Sequence, residues 1–323
     1  MRAELTEKIR KVTLRHAALG VARRGAVGGQ TPCLPTGWEP IDAALQGGLT
    51  CGGLHEWIGV DLPETVDRGA RRRGRCATPS AGWSPPLAPI LALTWQLLET
   101  RPLLSYTIWI GANCFPYPYQ LLRARGEDRR LLLRTLLVHA ARPADRLWAA
   151  DLALRCPAIG CVVLDGSRFD MPATQRLQLL SQSQQTPVLM IRPPWERHEL
   201  SAAQTRWRVS YEAPPRARRF EMDSRTRAVC PPLPELSMPA ARRRAFGNLE
   251  WRGVSPAPEI PRPRWRVELL RCKGVALTNQ SRSWIMEWDD ATHAVRLPAE
   301  VRGAPADAPR PAAVDAHARR ETA

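Results

Sequence analysis

Short apolar runs alternate with amphipathic stretches between residues 34 and 209, which is the pattern of a chain in which strands and helices follow one another. The segments IGCVVLDG and PVLMIRP are nearly all apolar, as is typical of strands buried on both faces of a parallel sheet. Strands are also predicted in GGLHEWIGV, YTIWIGA and LLLRTLLVHA, and helices in PILALTWQLLET, YPYQLLRARG, PADRLWAADLALRC and PATQRLQLLSQSQ. This alternation predicts a doubly wound α/β core with a mostly parallel sheet and flanking helices, over residues 31–211.

The pattern differs on both sides of this core. Residues 4–19 predict an amphipathic helix, and with the glycine-rich link that follows they form an N-terminal arm over 1–30 that docks either on its own domain or on a neighbour. Residues 212–263 are rich in proline and arginine with little periodicity, which indicates a linker or insertion. Residues 264–298 predict antiparallel strands packed on the core, with a hairpin turn at Asp289 and Asp290, and 299–323 predict a disordered tail.

Composition favours a cytoplasmic protein without disulfides or metal. The N-terminus is charged where a signal peptide would be apolar, and no apolar run approaches the roughly 20 residues of a membrane span. The 8 cysteines form no CxxC pair and no zinc-like cluster with histidine, so we expect reduced thiols and no bound metal. The formal net charge of +16 is compatible with nucleic-acid binding, although the arginine, proline and alanine bias is also what a GC-rich genome produces.

The order of several motifs carries a family resemblance. LPTGWEPIDAALQGGLTCGGLHEWIG, residues 34–59, resembles the segment that precedes the phosphate loop in the RecA recombinase family. Further segments resemble, in the same order, the hallmarks of the ImuA family, a group of RecA-like accessory proteins of damage-induced mutagenesis in bacteria. These segments are YPYQLLRARG, DRLWAADLALRCPAIGCVVLD, TQRLQLLSQSQQTPVLMIRPP, TRWRVS, RWRVELLRCKG and WIMEWDDATHAVRLP. The resemblance covers about 34–298, with interruptions at 60–84 and 212–263.

The resemblance implies a RecA-like fold and a role in the SOS response to DNA damage. Members of the family act with an ImuB-like polymerase homologue that lacks catalysis and with an error-prone replicative polymerase, so that synthesis can pass lesions. A RecA filament and DNA are further expected partners, and the implied location is the cytoplasm, at the nucleoid when the protein is active. The arm or an edge of the core is where we expect partners to bind.

The residues that bind a nucleotide in such a core are missing. A phosphate loop needs a lysine that reaches the β and γ phosphates, and no lysine lies between positions 12 and 272. Beyond Gly59, residues 60–84 form an enlarged replacement loop that ends in Gly82, Trp83 and Ser84 where Gly-Lys-Thr is expected. An indole therefore replaces the cation, and we expect no nucleotide cofactor.

The positions for water activation and for magnesium support the same conclusion. Asn113 stands where a recombinase presents the glutamate that orients the attacking water, and an amide cannot accept the proton. Asp165 stands where a Walker B aspartate would hold magnesium; the competing interpretation, which we favour, is that it caps the turn after its strand. The sequence thus predicts a protein without ATPase activity and without catalytic residues.

Arginines in two kinds of position are candidates for contact with nucleic acid. The tetrapeptide RWRV occurs twice, and in a strand its arginines share one face while Trp and Val share the other. Two such strands could align four guanidinium groups along a phosphate backbone, although an alternating strand is more often half-buried with a solvated charged face. The candidates are Arg206, Arg208, Arg264 and Arg266 in the strands and Arg71, Arg72 and Arg73 in the replacement loop.

Two other functions stay open on the sequence alone. The first is a DNA-stimulated ATPase of the recombinase class, which requires magnesium-dependent turnover. The second is a SulA-like inhibitor of cell division, which shares a related fold and predicts contact with the division GTPase.

Overall fold

The computed structural model describes residues 2–18, 32–61, 83–100, 106–112, 114–123, 129–212, 262–276, 282–289, 292 and 294–298. The helices in these ranges are α1 (Arg2–Ala18), α2 (Glu39–Ala44), α3 (Leu87–Thr100), α4 (Pro118–Arg123), α5 (Arg130–Leu133), α6 (Pro143–Arg155) and α7 (Met171–Gln184). The strands are β1 (Cys33–Leu34), β2 (Leu49–Thr50), β3 (Leu54–Ile58), β4 (Val60–Asp61), β5 (Trp83–Ser84), β6 (Tyr106–Gly111), β7 (Thr135–His139), β8 (Ile159–Asp165), β9 (Val188–Arg192), β10 (Thr205–Glu212), β11 (Arg264–Cys272), β12 (Ser283–Asp289) and β13 (Ala294–Arg296).

One large mixed sheet organises these elements. Its strand order is β13-β12-β11-β10-β3-β9-β8-β6-β7. Every neighbouring pair from β10 through β3 to β7 is parallel, whereas β10, β11, β12 and β13 form an antiparallel series. The predicted α/β class, the mostly parallel sheet and the C-terminal antiparallel strands with their hairpin are therefore confirmed. The segment LLLRTLLVHA is the partial exception, because its first residues form α5 and only the remainder forms β7.

Helices cover both faces of the parallel part of the sheet. On one face α2, α3, α4 and α5 pack over a core rich in tryptophan, in which the rings of Trp57 and Trp207 stack at 5.1 Å between centroids. On the other face α1, α6 and α7 pack over the aliphatic side chains of β6, β8 and β9. The residues of β3, β8 and β9 are all buried, which agrees with the nearly continuous apolar character of β8 and β9, whereas β3 carries the buried polar residues His55 and Glu56.

The N-terminal helix lies on its own core. Leu5, Ile9 and Val12 are buried in the same cluster as α6 and the sheet. Arg2 forms an ion pair with Asp145 of α6, with 2.8 Å between Nη2 and Oδ1. Of the two placements left open by the sequence, docking on the chain's own domain is the one observed, and the link at 19–31 lies outside the described residues.

Local sequence signals begin and end the helices that border the candidate site. Pro143 opens α6 at a position where a missing N–H is harmless. Asp170 caps α7 by accepting a hydrogen bond from the N–H of Ala173 at 2.9 Å, and α7 ends at Gln185 with a left-handed φ of 49°. α6 follows β7 and α7 follows β8, and the carboxyl ends of these two strands lie at the same edge of the sheet.

Candidate functional site

The carboxyl ends of the parallel strands define the candidate site. β6 and β8 are neighbours, but the chain leaves β6 towards α4 and α5 on one face and leaves β8 towards α7 on the other. In open α/β sheets ligands bind in the crevice that such diverging connections create. The two ends of the replacement loop also meet at this edge, next to the end of β3.

The exit of β3 is filled by an indole ring. Gly59 follows β3, and its N–H donates to the carbonyl of Arg192 at 2.8 Å. A Cβ placed on Gly59 would collide with the ring of Trp83 and would lie 2.7 Å from the carbonyl oxygen of Ser84. Only glycine fits here, and the structure brings Gly59, Trp83 and Ser84 into contact.

A short ladder holds the indole in this position. β4 and β5 pair antiparallel, with Val60 opposite Ser84 and Asp61 opposite Trp83. The sequence predicts a replacement loop over residues 60–84. In the structure, its first two residues form β4 and its last two form β5, and these strands pair. Gly82 and the arginines Arg71, Arg72 and Arg73 lie outside the described residues.

Asp165 at the end of β8 is enclosed by protein contacts. The residue is only 3% exposed, and its Oδ2 lies 3.3 Å from Nη1 of Arg146. Oδ1 accepts hydrogen bonds from the N–H of Ser167 at 3.0 Å and from its hydroxyl at 2.6 Å. This is the contact that the turn-capping interpretation predicts, and both carboxylate oxygens are engaged by the chain. Asn113 lies outside the described residues.

Arg146 is the buried partner that the sequence did not single out. It is 2% exposed, and besides Asp165 it donates to the carbonyl of Ala141 at 3.2 Å and to that of Ser167 at 2.6 Å. Its guanidinium also lies 5.7 Å from the centre of the Phe169 ring. Burial lowers the pKa of Arg146, and the charge of Asp165 opposes that shift.

A second buried ion pair lies beside the first. Arg192 ends β9 with no exposed surface, and its Nε is 3.6 Å from Oε2 of Glu196. Oε1 of Glu196 accepts a hydrogen bond from the N–H of Arg168 at 2.9 Å, and Arg192 also donates to the carbonyl of Phe169. Burial raises the pKa of Glu196, whereas the Arg168 amide and the Arg192 charge lower it. Two internal ion pairs thus fill this edge. A magnesium ion that binds phosphate here would need free carboxylate oxygens as ligands.

The four strand arginines predicted to contact nucleic acid are each paired with a carboxylate. Arg206 lies 2.8 Å from the fully buried Glu56, and the remaining pairs have partners on the antiparallel strands. They are Arg208 with Glu268 at 2.6 Å, Arg264 with Glu287 at 2.7 Å, and Arg266 with Glu212 at 3.1 Å. The predicted alternation is confirmed in β10, where Trp207 and Val209 are buried and the arginines share the opposite face. The nucleic-acid role of these arginines stays a prediction.

No family model and no curated protein matches the chain. Within the described ranges, no three His, Cys, Asp or Glu side chains come together where they could hold a metal ion. In the same ranges no helix is both long enough and apolar enough to cross a membrane.

Proposed function

We propose that the protein is a non-catalytic adaptor on a RecA-like core that acts in translesion synthesis induced by DNA damage. Its partners in this proposal are an ImuB-like polymerase homologue and an error-prone replicative polymerase. The observation that carries the proposal is the Trp83 indole packed against Gly59 at the end of β3, where a nucleotide-binding core needs an open glycine-rich loop with a lysine.

The chemistry of the surrounding groups agrees with this. Phosphoryl transfer depends on charges positioned around the transferred group and on a hydrated magnesium ion. Trp83 supplies no charge, and Asp165 is held by Arg146 and Ser167. The family resemblance, the parallel sheet with helices on both faces and the closed pocket together support an adaptor rather than an ATPase.

The test is nucleotide binding by the full chain. Titration calorimetry with ADP and with ATP, each with magnesium and with or without single-stranded DNA, should give no saturable heat, and phosphate release should equal that of buffer. Magnesium-dependent turnover by the wild-type chain would overturn the proposal in favour of the recombinase-type ATPase. Binding of the division GTPase without any association with the polymerase homologue would favour the SulA-like alternative.

The edge of the core is the better candidate for the partner surface. The arm is occupied, because Leu5, Ile9 and Val12 of α1 are buried on the chain's own core. In contrast, β7 is the outermost strand at its end of the described sheet, and Leu137 on it is 46% exposed. Leu133, one residue before Arg134 and β7, is 74% exposed. Such a strand offers unpaired backbone groups and apolar side chains to a partner.

A matched pair of variants tests this surface. Leu137→Arg should abolish recovery of the ImuB-like protein in a pull-down, because it places a charge on the edge strand. Leu179→Arg is the control, since Leu179 is 58% exposed on α7, on a helix-covered face of the sheet. Equal recovery with both variants, with loss only on deletion of α1, would assign the partner to the arm instead.

A further inference from the structure

One large side chain at the carboxyl edge is exposed although it is apolar. Trp195 lies in a 3-10 turn, Pro194–Glu196, directly after β9, and 55% of its surface is exposed. Its ring meets the ring of Trp83 edge to face, with centroids 6.3 Å apart and an angle of 83° between the planes. The indole that closes the nucleotide pocket therefore also supports a second indole at the surface.

Basic side chains hold the backbone that connects Trp195 to β10. Arg271 donates to the carbonyls of Ser201 at 2.8 Å and Ala203 at 3.0 Å, and Lys273 donates to the carbonyl of Ala202 at 2.6 Å. Arg206 donates to the carbonyl of Arg197 at 3.1 Å. These contacts order the backbone before any ligand arrives, so binding here loses little conformational entropy.

Two arginines beside Trp195 lack the carboxylate partners that the strand arginines have. Arg168 is exposed, and its backbone N–H donates to the side chain of Glu196, the residue after Trp195. Arg197 is exposed and contacts the ring nitrogen of His198 at 2.8 Å. Within the part of the chain that the structure describes, neither guanidinium forms an ion pair, whereas Arg206, Arg208, Arg264 and Arg266 all do.

We propose that single-stranded DNA binds at this edge, with one base stacked on Trp195 and the neighbouring phosphates on Arg168 and Arg197. The inference rests on the proposed function, because a pocket filled by Trp83 is what supports Trp195. Proteins that bind single strands combine aromatic platforms with unpaired cations, and unstacked bases are available in a single strand but not in a duplex. In this proposal Trp83 fills the position of the nucleotide pocket and supports Trp195, the residue on which the base stacks.

The experiment is fluorescence anisotropy with the full chain and a labelled 20-mer of thymidine, with the same sequence in duplex form and as RNA uridine for comparison. Trp195→Ala should weaken binding by about 5- to 100-fold, and Trp195→Phe should retain most of the affinity. Arg168→Gln and Arg197→Gln should each lower the slope of log affinity against log salt by about 0.7. The controls are Tyr211→Ala, an aromatic residue that is 59% exposed on β10, and Arg208→Gln, a paired arginine.

Each outcome is decisive. Undetectable binding by the wild-type chain, equal affinities of Trp195→Ala and wild type, or equal losses with Tyr211→Ala would overturn the site. Preference for the duplex or for RNA would overturn the assignment to single-stranded DNA. Thermal melting of Trp195→Phe controls for folding. Because the adaptor proposal is tested separately by ADP titration, a failure of DNA binding here leaves that proposal standing, whereas saturable ADP binding would remove both.

Discussion

Two regions of this molecule are rich in arginine, and they use it in different ways. On the face of β10 to β13 the guanidinium groups pair with glutamates of neighbouring strands, so that Arg208 lies opposite Glu268 and Glu212 lies opposite Arg264. At the carboxyl edge, Arg197 follows the exposed Trp195 by two residues and the Arg168 backbone bonds to the residue after that tryptophan, and neither guanidinium forms an ion pair among the described residues. The position of the acids, rather than the number of arginines, decides which region is available to phosphates.

The comparison also shows that part of the surface of a protein with a net charge of +16 is locally neutralised by ion pairs. Glu287 receives three of them, with Arg262, Arg264 and Arg296 all within 3.8 Å of its carboxylate oxygens. Ion pairs of this kind contribute modestly to stability, but they neutralise the surface locally. A strand face that reads as basic in the sequence is therefore close to balanced in the fold.

The largest expected effect concerns the buried pair at the carboxyl edge. Asp165→Ala should lower the free energy of unfolding by about 3 to 5 kcal/mol, because it leaves the guanidinium of Arg146 buried without its counter-charge. Asp151→Ala is the control: its partners Arg155 and Arg176 have side chains that are 61% and 57% exposed, so its loss should stay near 1 kcal/mol. Urea denaturation measures both. Equal losses would mean that Asp165 is no more than a surface charge.

A histidine buried between β3 and β10 should make the stability of the protein sensitive to acid. His55 on β3 is fully buried between Thr205 of β10 and the carbonyl of Thr50, with both ring nitrogens 2.9 Å from these oxygens. Burial lowers the pKa of His55 to about 4, and the Thr50 carbonyl only partly opposes this. Since the folded pKa lies below that of the unfolded chain, the unfolded state binds the extra proton between about pH 6.5 and 4.

Stability should therefore fall as the pH falls through that window, by up to about 3 kcal/mol from this group. The measurement is the urea midpoint at pH 7, 5.5 and 4 for the wild type and for His55→Gln, which has no titrating ring. The wild type should lose more stability than the variant between pH 6.5 and 4. Parallel curves for the two proteins would show that folding does not shift the pKa of His55.

An intermediate effect is expected where three arginines share one acid. Glu287→Ala should lower the free energy of unfolding by about 1.5 to 3 kcal/mol, the range for hydrogen bonds to charged groups, because Glu287 is 6% exposed. Glu268→Ala is the matched control, since its side chain is 26% exposed and has Arg208 as its partner. Denaturation at low and high salt measures both variants. If the loss at Glu287 vanished in high salt, the cluster would be an exposed one.

Much of this architecture could be predicted from the sequence because its signals are local. The all-apolar run at 159–165 predicts a buried parallel strand without knowledge of its neighbours, and the alternation of Trp207 and Val209 predicts which face is buried. The capping of the turn by Asp165 is equally local, because its partner Ser167 is two residues away.

The ion pairs between different elements of the fold could not be predicted, because their members are far apart in the chain. Arg206 meets Glu56 only because β10 lies beside β3 in the sheet, and that strand order is not written in the periodicity of either strand. Arg146 meets Asp165 across a helix and a strand for the same reason. The pattern of α1 predicted an amphipathic helix but not the surface that it covers. The exposure of Trp195 could not be predicted either, because it depends on the turn after β9.

The smallest expected effect is also the sharpest test of the comparison. If carboxylate partners are what withhold the strand arginines from phosphates, then Glu268→Gln should release Arg208 while changing the stability by less than about 1 kcal/mol, because this pair is partly exposed. The variant should bind the thymidine 20-mer about twofold more tightly, with a salt slope steeper by about 0.7. Arg208→Gln should leave both values unchanged, and the double variant should match it, since the neutralised glutamate then has no cation to release. A loss of affinity in Arg208→Gln that the double variant restores to the wild-type value would trace the effect to net charge alone, and the distinction between paired and unpaired arginines would fail.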